Sequence, residues 1–182
     1  MRTIAFFLEE LSAEEMLKGL LPRVLPQDVN IKYITFEGKN DLEKRLPGKL
    51  RGWCLPDTTF VVIRDKDGGH GPTIKQRLAQ SCADNARHPY IVRIACHGLE
   101  SWYLGDLLSV ENALGVPKLS NQQGNKKFRT PDNISNASEE LAKITKQKYQ
   151  KVAGSRAIGK ILRIDGNTSH SYNVFIQGIQ NI

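Results

Sequence analysis

The sequence has few cysteines and no zinc-binding motif. Its 182 residues include three cysteines (Cys54, Cys82 and Cys96) and four histidines. Their spacing contains no CxxC, HxH or HExxH pattern, which argues against a zinc site, and an odd number of cysteines argues against a disulfide framework. We therefore expect reduced, mostly buried structural thiols. We expect solvated loop histidines, although His70 and His97 could lie near the acidic residues described below and assist proton transfer.

The sequence also lacks a hydrophobic run long enough to cross a bilayer. The first apolar run, TIAFFL, is followed directly by Glu9 and Glu10. A membrane-spanning helix needs about 20 apolar residues, and the flanking charges do not suit a signal peptide. No repeats or low-complexity tracts are present. We therefore expect a cytoplasmic protein with no membrane partner, and the length indicates one domain.

Negative charge is scarce in the C-terminal third of the chain. Residues 118–163 contain 11 Lys or Arg and 3 Asp or Glu, whereas residues 1–70 contain 11 of each kind. Concentrated positive charge suits a polyanion such as nucleic acid, although a solvated helical face has the same composition. The candidate nucleic-acid-binding residues are Lys126, Lys127, Arg129, Lys148, Lys151 and Arg156.

Hydrophobic patterning predicts alternating strands and helices. Strand patterns occur in RTIAFFLEE, NIKYITFEG, TTFVVIRDKD and YIVRIACHG. Helical patterns follow each of them, with Ser12 as a candidate N-cap in the first and a break expected at Pro47–Gly48 in the second. This order predicts an α/β domain with a largely parallel sheet flanked by helices. We expect residues 1–115 to form the core and residues 116–182 a basic, mainly helical extension packed on the same domain.

The extension contains three less distinct patterns. ASEELAKITKQKYQKVAG and SRAIGKILR look helical, and SHSYNVFIQGIQNI reads as a last helix or strand. In KVAGSR, a new helix could present its amide groups and Arg156 to a phosphate. A C-cap at Gly154 followed by an N-cap at Ser155 accounts for the same letters equally well.

Acidic residues follow three of the four predicted strands. Glu9 and Glu10 follow the first, Asp65 and Asp67 close the third, and Glu100 lies just beyond the fourth. Ligands of parallel α/β sheets collect at the carboxyl ends of the strands. Gathered carboxylates repel one another unless a cation compensates, and their oxygens suit Mg²⁺ or Mn²⁺.

Each of these residues also has an ordinary structural interpretation. Aspartate is a common turn residue, so Asp65 and Asp67 could simply follow their strand. Glu100 could be an acid favoured at a helix start, and Asp106 is more typical of a helix cap. Trp53 and Trp102 could stack on bases but are more typical of a core.

The order of these motifs resembles the Toprim domain of topoisomerases, bacterial primases and OLD-family nucleases. The resemblance rests on Glu9 in FFLEELSAEE and on Asp65 and Asp67 in VVIRDKD. More closely, FEGKNDLEKRLPGKLRGW, VRIACHGLESWYLGD, KYQKVAGSRAIG and SHSYNVF resemble an uncharacterised bacterial Toprim-like family that is often encoded beside an ABC/SMC-type ATPase. This second resemblance covers roughly residues 3–178.

The resemblance implies a Toprim-like (Rossmann-like) fold and a metal-dependent nuclease with Mg²⁺ or Mn²⁺. It implies Glu9, Asp65 and Asp67 as catalytic residues and metal ligands, with Glu10 and Glu14 as looser matches to further acids of related nucleases. Together with Glu100, a candidate because it lies just beyond the fourth strand, they form the predicted metal-ligand set. Two positions depart from the pattern, since Glu10 stands where glycine usually follows the glutamate and His97 stands where arginine is expected.

The resemblance also implies a biological setting, namely the effector of an ATPase-coupled anti-phage defence system. Nucleic acid and an ABC/SMC-type ATPase are the implied partners, and a homodimer is compatible with this reading. The alternative is a non-catalytic Toprim-like module that binds nucleic acid or the ATPase. Hydrolysis of a small phosphorylated molecule is a third possibility, and it requires an enclosed pocket.

Overall fold

One parallel sheet of four strands forms the centre of the molecule. The structure is a computed structural model that describes residues 2–182. The strands are β1 (Thr3–Leu8), β2 (Asn30–Thr35), β3 (Thr58–Asp65) and β4 (Tyr90–Ala95), and their order in the sheet is β2-β1-β3-β4. All three pairings are parallel. The predicted Rossmann-like α/β class is therefore confirmed.

Helices connect the strands and form the C-terminal third of the chain. The helices are α1 (Leu11–Leu20), α2 (Lys39–Arg51), α3 (Gly71–Asn85), α4 (Glu100–Leu104), α5 (Leu107–Leu114), α6 (Lys126–Arg129), α7 (Ala137–Ile144), α8 (Lys151–Gly159) and α9 (His170–Gln180). None of the helices within residues 2–182 combines the length and the apolar character that crossing a bilayer requires.

Alternate residues of the strands supply two separate cores. In β1, Ile4, Phe6 and Leu8 belong to the larger core on one face of the sheet, whereas Ala5 and Phe7 belong to the core on the other face. Buried residues of α1, α8 and α9 complete the larger core, and those of α2 and α3 complete the smaller one. Because both faces are covered, the central strands are hydrophobic throughout their length.

The C-terminal third is part of the larger core. Ile158 and Leu162 are fully buried in it, as are Tyr172 and Phe175, and Trp102 of α4 stacks on Phe175 with 5.0 Å between ring centroids. The predicted extension therefore supplies one side of the core that the sheet requires.

Helices α1 and α8 lie side by side and run in the same direction. Along the pair, Glu10 contacts Lys151, Glu15 contacts Arg156, and the backbones approach at Gly19 and Gly159. A Cβ at Gly159 would lie 2.8 Å from Met16 Cα, and one at Gly19 would lie 2.6 Å from Lys160 N. Only glycine leaves room for this approach.

Two helices near the N-terminus differ from the prediction. Glu10, and not Ser12, is the N-cap of α1, and the Ser12 hydroxyl donates a hydrogen bond to Glu10 Oε1 at 2.7 Å. Helix α2 continues through Pro47 to Arg51, so the expected break at Pro47–Gly48 is wrong. The proline removes one backbone donor, but buried Leu42, Leu46 and Leu50 hold both halves of α2 against the sheet.

The helices of the extension also differ from the prediction. Two helices, α7 and α8, replace the single one expected before Gly154, and between them Lys146 and Gln147 have left-handed φ values of 52° and 62°. KVAGSR does open a helix, since α8 begins at Lys151, but the predicted C-cap at Gly154 and N-cap at Ser155 are wrong, because both residues lie inside α8. A Cβ at Gly154 would lie 2.5 Å from the Tyr149 ring, so the glycine accommodates this ring.

Several single-residue expectations have clear outcomes. The last segment is helix α9, and Asp106 is the N-cap of α5, as expected. Trp102 is buried and Trp53 packs on the core residue Phe60. Among the thiols, Cys82 is buried and Cys96 partly so, but Cys54 is exposed in the loop after α2 and does not fit the predicted pattern.

Candidate acidic site at the carboxyl edge of the sheet

The predicted acidic residues lie where the strand order reverses. From β1 the chain continues to β2 on one side, whereas β3 and β4 lie on the other side. In open α/β sheets, the ligand crevice is found at the carboxyl ends of the strands at such a reversal. Glu9 directly follows β1, and Asp65 is the last residue of the adjacent strand β3. These two residues therefore stand at the usual ligand position of the fold.

A hydrogen bond links the Glu9 carboxylate to the backbone of Asp65. The backbone N–H of Asp65 donates a hydrogen bond to Glu9 Oε2 at 3.1 Å. Burial raises the pKa of Glu9, this hydrogen bond partly opposes the rise, and the nearby Asp67 carboxylate adds to it. The net shift of the Glu9 pKa is upward, so Glu9 holds a proton more readily than an exposed glutamate does.

Asp65 is surrounded by other carboxylates. Burial raises the pKa of Asp65 well above its usual value, and the charges of Glu9, Glu100, Glu10 and Asp67 raise it further. Such mutual repulsion is costly unless protons or cations offset it. We call these five residues the acidic cluster.

Gly98 brings two of these carboxylates together. A Cβ at this position would lie 3.0 Å from Glu100 Oε2 and 3.5 Å from Asp65 Oδ2, so both side chains face the same glycine. Gly98 has a φ of 115° and the preceding His97 has a φ of 59°. The left-handed pair turns the chain sharply between β4 and α4.

Glu100 is hydrogen-bonded to a buried tyrosine. It is buried at the first position of α4, and Tyr149 Oη donates a hydrogen bond to Glu100 Oε1 at 3.0 Å. Tyr103 Oη donates to Ser155 Oγ at 2.8 Å, and Tyr149 Oη lies 3.4 Å from the same Oγ. Glu100 is therefore a helix-start residue and also a member of the acidic cluster.

Two lysines partly neutralise the acidic cluster. Lys151 Nζ lies 2.7 Å from Glu10 Oε2, and Lys39 Nζ lies 2.9 Å from Asp67 Oδ2. Burial lowers the pKa of Lys151, but the hydrogen bond to Glu10 and the nearby carboxylates outweigh it, so the net shift is upward. The N-termini of α1 and α8 also meet here, and helix N-termini favour negative charge.

Sequence reasoning did not single out Arg64. Its side chain is buried on the α2 side of β3, where Nη1 donates to the carbonyl oxygen of Asp65 at 2.8 Å. Arg64 Nε lies 3.0 Å from Glu43 Oε1 as an ion pair without hydrogen-bond alignment. A charged residue in the apolar run FVVIRD was the available signal, because such a residue needs a buried partner.

The predicted metal ligands do not form a ready-made coordination group. Among residues 2–182, no three Asp, Glu, His or Cys side chains converge in a way that could hold a metal ion as placed. The carboxylate chemistry suits a hard cation, but Glu10 and Asp67 are engaged by lysines. Glu14 contacts Lys18 and Thr35, at the end of β2, and these contacts do not join it to the acidic cluster.

The predicted nucleic-acid-binding residues lie in separate places. Lys127 on α6 pairs with Glu140 at 2.6 Å, and Lys148 donates to the Gly115 carbonyl oxygen at 3.1 Å. Arg156 pairs with Glu15, so among these contacts only that of Lys151 reaches the acidic cluster. The remaining two, Lys126 and Arg129, are exposed on α6.

Comparison with protein families identifies one match that covers nearly the whole chain. The family model is described as Domain of unknown function (DUF4276), and it matches residues 8–180. The chain belongs to this family. The DUF4276 match includes every residue of the acidic cluster together with β2, β3, β4, α8 and α9. Comparison with curated proteins and with solved structures gave no match.

Proposed function

We propose that this DUF4276 chain is a metal-dependent nuclease related to Toprim domains. The observation that carries the proposal is the acidic cluster at the strand-order reversal, where burial and neighbouring carboxylates raise the pKa of Asp65. Carboxylates whose pKa is shifted by burial and by neighbouring charges are typical of catalytic sites. Toprim domains place a glutamate after one strand and an Asp-x-Asp pair after another, as Glu9, Asp65 and Asp67 do here.

In this proposal, Glu9, Asp65 and Asp67 hold Mg²⁺ or Mn²⁺, with Glu10 and Glu100 as further ligands. The bound cation would polarise the scissile phosphate and stabilise the leaving oxygen. Glu9, which directly follows β1, would accept the proton of the attacking water. Lys151, once released from Glu10, faces the negative charge of the phosphate.

The wider setting follows from the Toprim-like resemblance alone. We propose that the nuclease acts in the cytoplasm as the effector of an ABC/SMC-type ATPase in anti-phage defence. The nuclease itself would be a monomer or a homodimer. Co-purification with an ATPase encoded beside it tests the partnership, and the mass of the purified protein in solution tests the dimer.

A cleavage assay tests the nuclease proposal. Plasmid, single-stranded DNA and transfer RNA are incubated with the protein in Mg²⁺, Mn²⁺ or EDTA. Cleavage should require metal, and Asp65→Asn and Glu9→Gln should each reduce it by about 10²-fold or more. Asp84→Asn is the matched control, because Asp84 is exposed on α3 and its carboxylate contacts Gln80. Cleavage that survives both cluster substitutions would rule out this site.

A second candidate is a non-catalytic module that binds nucleic acid or the ATPase. The Glu10–Lys151 and Asp67–Lys39 pairs favour it, because they offset negative charge without a metal. Calorimetric titration with Mn²⁺ separates the candidates. A nuclease site binds Mn²⁺ in the wild type and loses this binding in Asp65→Asn, whereas a binding module takes up no Mn²⁺ and still binds nucleic acid in EDTA.

A further inference from the structure

A basic groove lies beside the acidic cluster, along the outer edge of β4. It encloses about 480 Å³ between this strand and the first turns of α3 and α9. Most of its lining is apolar and includes Pro72 and Val174, and Lys75, Arg93 and His170 supply its basic groups beside Cys96. None of the six predicted nucleic-acid-binding residues lies in this basic groove.

Arg93 supplies a positive charge that no carboxylate neutralises. Its side chain is partly buried, and it forms no ion pair within residues 2–182. Arg93 Nη1 donates to the Val92 carbonyl oxygen at 3.0 Å and Nε donates to that of Val174 at 3.3 Å. A Cβ at Gly178 would lie 2.8 Å from Nε, so this glycine makes room for the guanidinium.

Lys66 and His97 connect the basic groove to the acidic cluster. Lys66 Nζ lies 3.5 Å from His97 Nε2, and a Cβ at Gly71, in the groove wall, would lie 3.7 Å from Lys66 Cδ. His97 precedes Gly98, which faces Asp65 and Glu100. Like Arg93, Lys66 and Lys75 have no carboxylate partner in the described chain.

One carboxylate, that of Asp132, approaches the basic groove. It accepts hydrogen bonds from Ser169 Oγ at 2.6 Å and from the Ser171 N–H at 2.7 Å, at the start of α9. The N-terminus of α9 therefore offsets the negative charge of Asp132. The first turn of the 15-residue helix α3 also faces the basic groove and adds partial positive charge.

Side chains engage two backbone groups along the outer edge of β4. Arg93 occupies the carbonyl of Val92, and the Cys96 N–H lies 3.5 Å from Ser171 Oγ. A peptide that binds by extending a sheet needs these backbone groups. An acidic peptide would have only side-chain charges to contact, whereas a nucleic-acid strand offers regularly spaced phosphates and apolar sugar and base surfaces.

We propose that the basic groove binds the nucleic-acid strand as it leaves the acidic cluster, with Lys75, Arg93 and His170 of the groove, and Lys66 beside it, contacting the phosphates. The proposal rests on the proposed function and names the path of its substrate. In this proposal, the principal contacts with nucleic acid lie at the edge of β4 and not at the basic residues of the C-terminal third.

A binding experiment in EDTA tests this path without cleavage. Anisotropy of a labelled single-stranded oligonucleotide of about 12 nucleotides, within the range of single-strand grooves, is measured at several salt concentrations. For Lys66→Gln/Lys75→Gln, the slope of log affinity against log salt should fall by about 0.7 for each lysine. Lys44→Gln/Lys49→Gln, which removes two exposed lysines of α2, is the control and should retain the wild-type slope.

The native thiols give a second measurement. Cys96 lines the basic groove and Cys54 is exposed elsewhere, so bound oligonucleotide should slow alkylation of Cys96 relative to Cys54, as followed by mass spectrometry. An unchanged slope in the Lys66/Lys75 variant, or protection of Cys96 by polyglutamate but not by oligonucleotide, would overturn the proposal. If Asp65→Asn loses cleavage but still binds the oligonucleotide in the groove, both the nuclease proposal and the groove proposal are supported. If the wild type binds the oligonucleotide without metal but cleaves no substrate, the nuclease proposal is rejected and the groove proposal is retained.

Discussion

Asp65 is the residue on which the negative charges of the acidic cluster act together. It is the last residue of a buried strand and is repelled by four neighbouring carboxylates. Its pKa is therefore raised well above its ordinary value. An acid whose pKa is higher in the folded than in the unfolded state makes the folded state bind more protons. The free energy of unfolding therefore decreases as the pH rises from the unfolded pKa through the folded one, and it stays reduced above that value.

Replacing Asp65 should remove part of this pH dependence. We expect Asp65→Asn to be more stable than the wild type above the raised pKa, by about 1.4 kcal/mol for each unit of pKa shift, and to approach the wild type near pH 4. Urea denaturation across a pH series measures the difference. Asp84→Asn controls for the loss of an exposed charge. A wild type that equals or exceeds Asp65→Asn in stability at neutral pH, without metal, would contradict the expected repulsion.

Gly98 controls the geometry of the acidic cluster. Gly98→Ala places a Cβ at a φ of 115° and 3.0 Å from Glu100 Oε2. We expect a loss of about 1–3 kcal/mol in the free energy of unfolding from backbone strain, and the proposed nuclease function predicts lost cleavage as well. Gly124→Ala is the control, because nothing lies within 4 Å of its Cβ position. Thermal unfolding measures the effect, and equal melting temperatures for the two variants would contradict it.

Only part of the acidic cluster could be predicted from individual residues. Glu9 and Asp65 follow strands, and the parallel sheet brings strand ends together, so their proximity was predictable. The pairing of Lys39 with Asp67 and of Lys151 with Glu10 was not, because each joins elements distant in the chain. Glu14 was expected with the metal ligands, but one helical turn beyond Glu10 it contacts Lys18 and Thr35.

Among the elements, the α1–α8 pair depends most on residue size. Gly159→Ala would place a Cβ 2.8 Å from Met16 Cα, against backbone that cannot rotate away. We expect destabilisation of about 1–3 kcal/mol or more from overpacking. Gly48→Ala is the matched control in α2, where the Cβ position is open and alanine favours the helix by up to about 1 kcal/mol. Chemical denaturation should therefore shift in opposite directions for the two variants.

Strands were predicted more accurately than helix boundaries. The apolar runs in TTFVVIRDKD and YIVRIACHG correspond to β3 and β4 because their burial shows directly in composition. The boundaries of α2 and α8 were wrong because tertiary packing overrode local preferences. Leucines hold α2 together across Pro47, and the Tyr149 ring requires Gly154 in the interior of α8.

At the scale of the whole molecule, residues 116–182 complete one face of the sheet. A fragment of residues 1–115 would expose Trp102, which Tyr172 and Phe175 of α9 otherwise cover. We expect this fragment to lack a cooperative thermal transition and to bind a hydrophobic dye, since its apolar surface remains in water. The full chain is the control in calorimetry. A sharp unfolding transition of the fragment would show that the sheet folds without its C-terminal cover.

Because α1 and α8 run in the same direction, the contact of Lys151 with the acidic cluster depends on the rotation of α8 about its axis. Glu10–Lys151, Glu15–Arg156 and Gly19–Gly159 repeat at nearly equal spacing along both helices. Each helical residue advances about 1.5 Å and turns about 100°. One residue inserted between Lys151 and Gly159 would swing the ammonium group away from Glu10, whereas replacement of the exposed Ala153 within α8 would not. Chain length between these two positions is thus held more tightly than the identity of the residues that fill it.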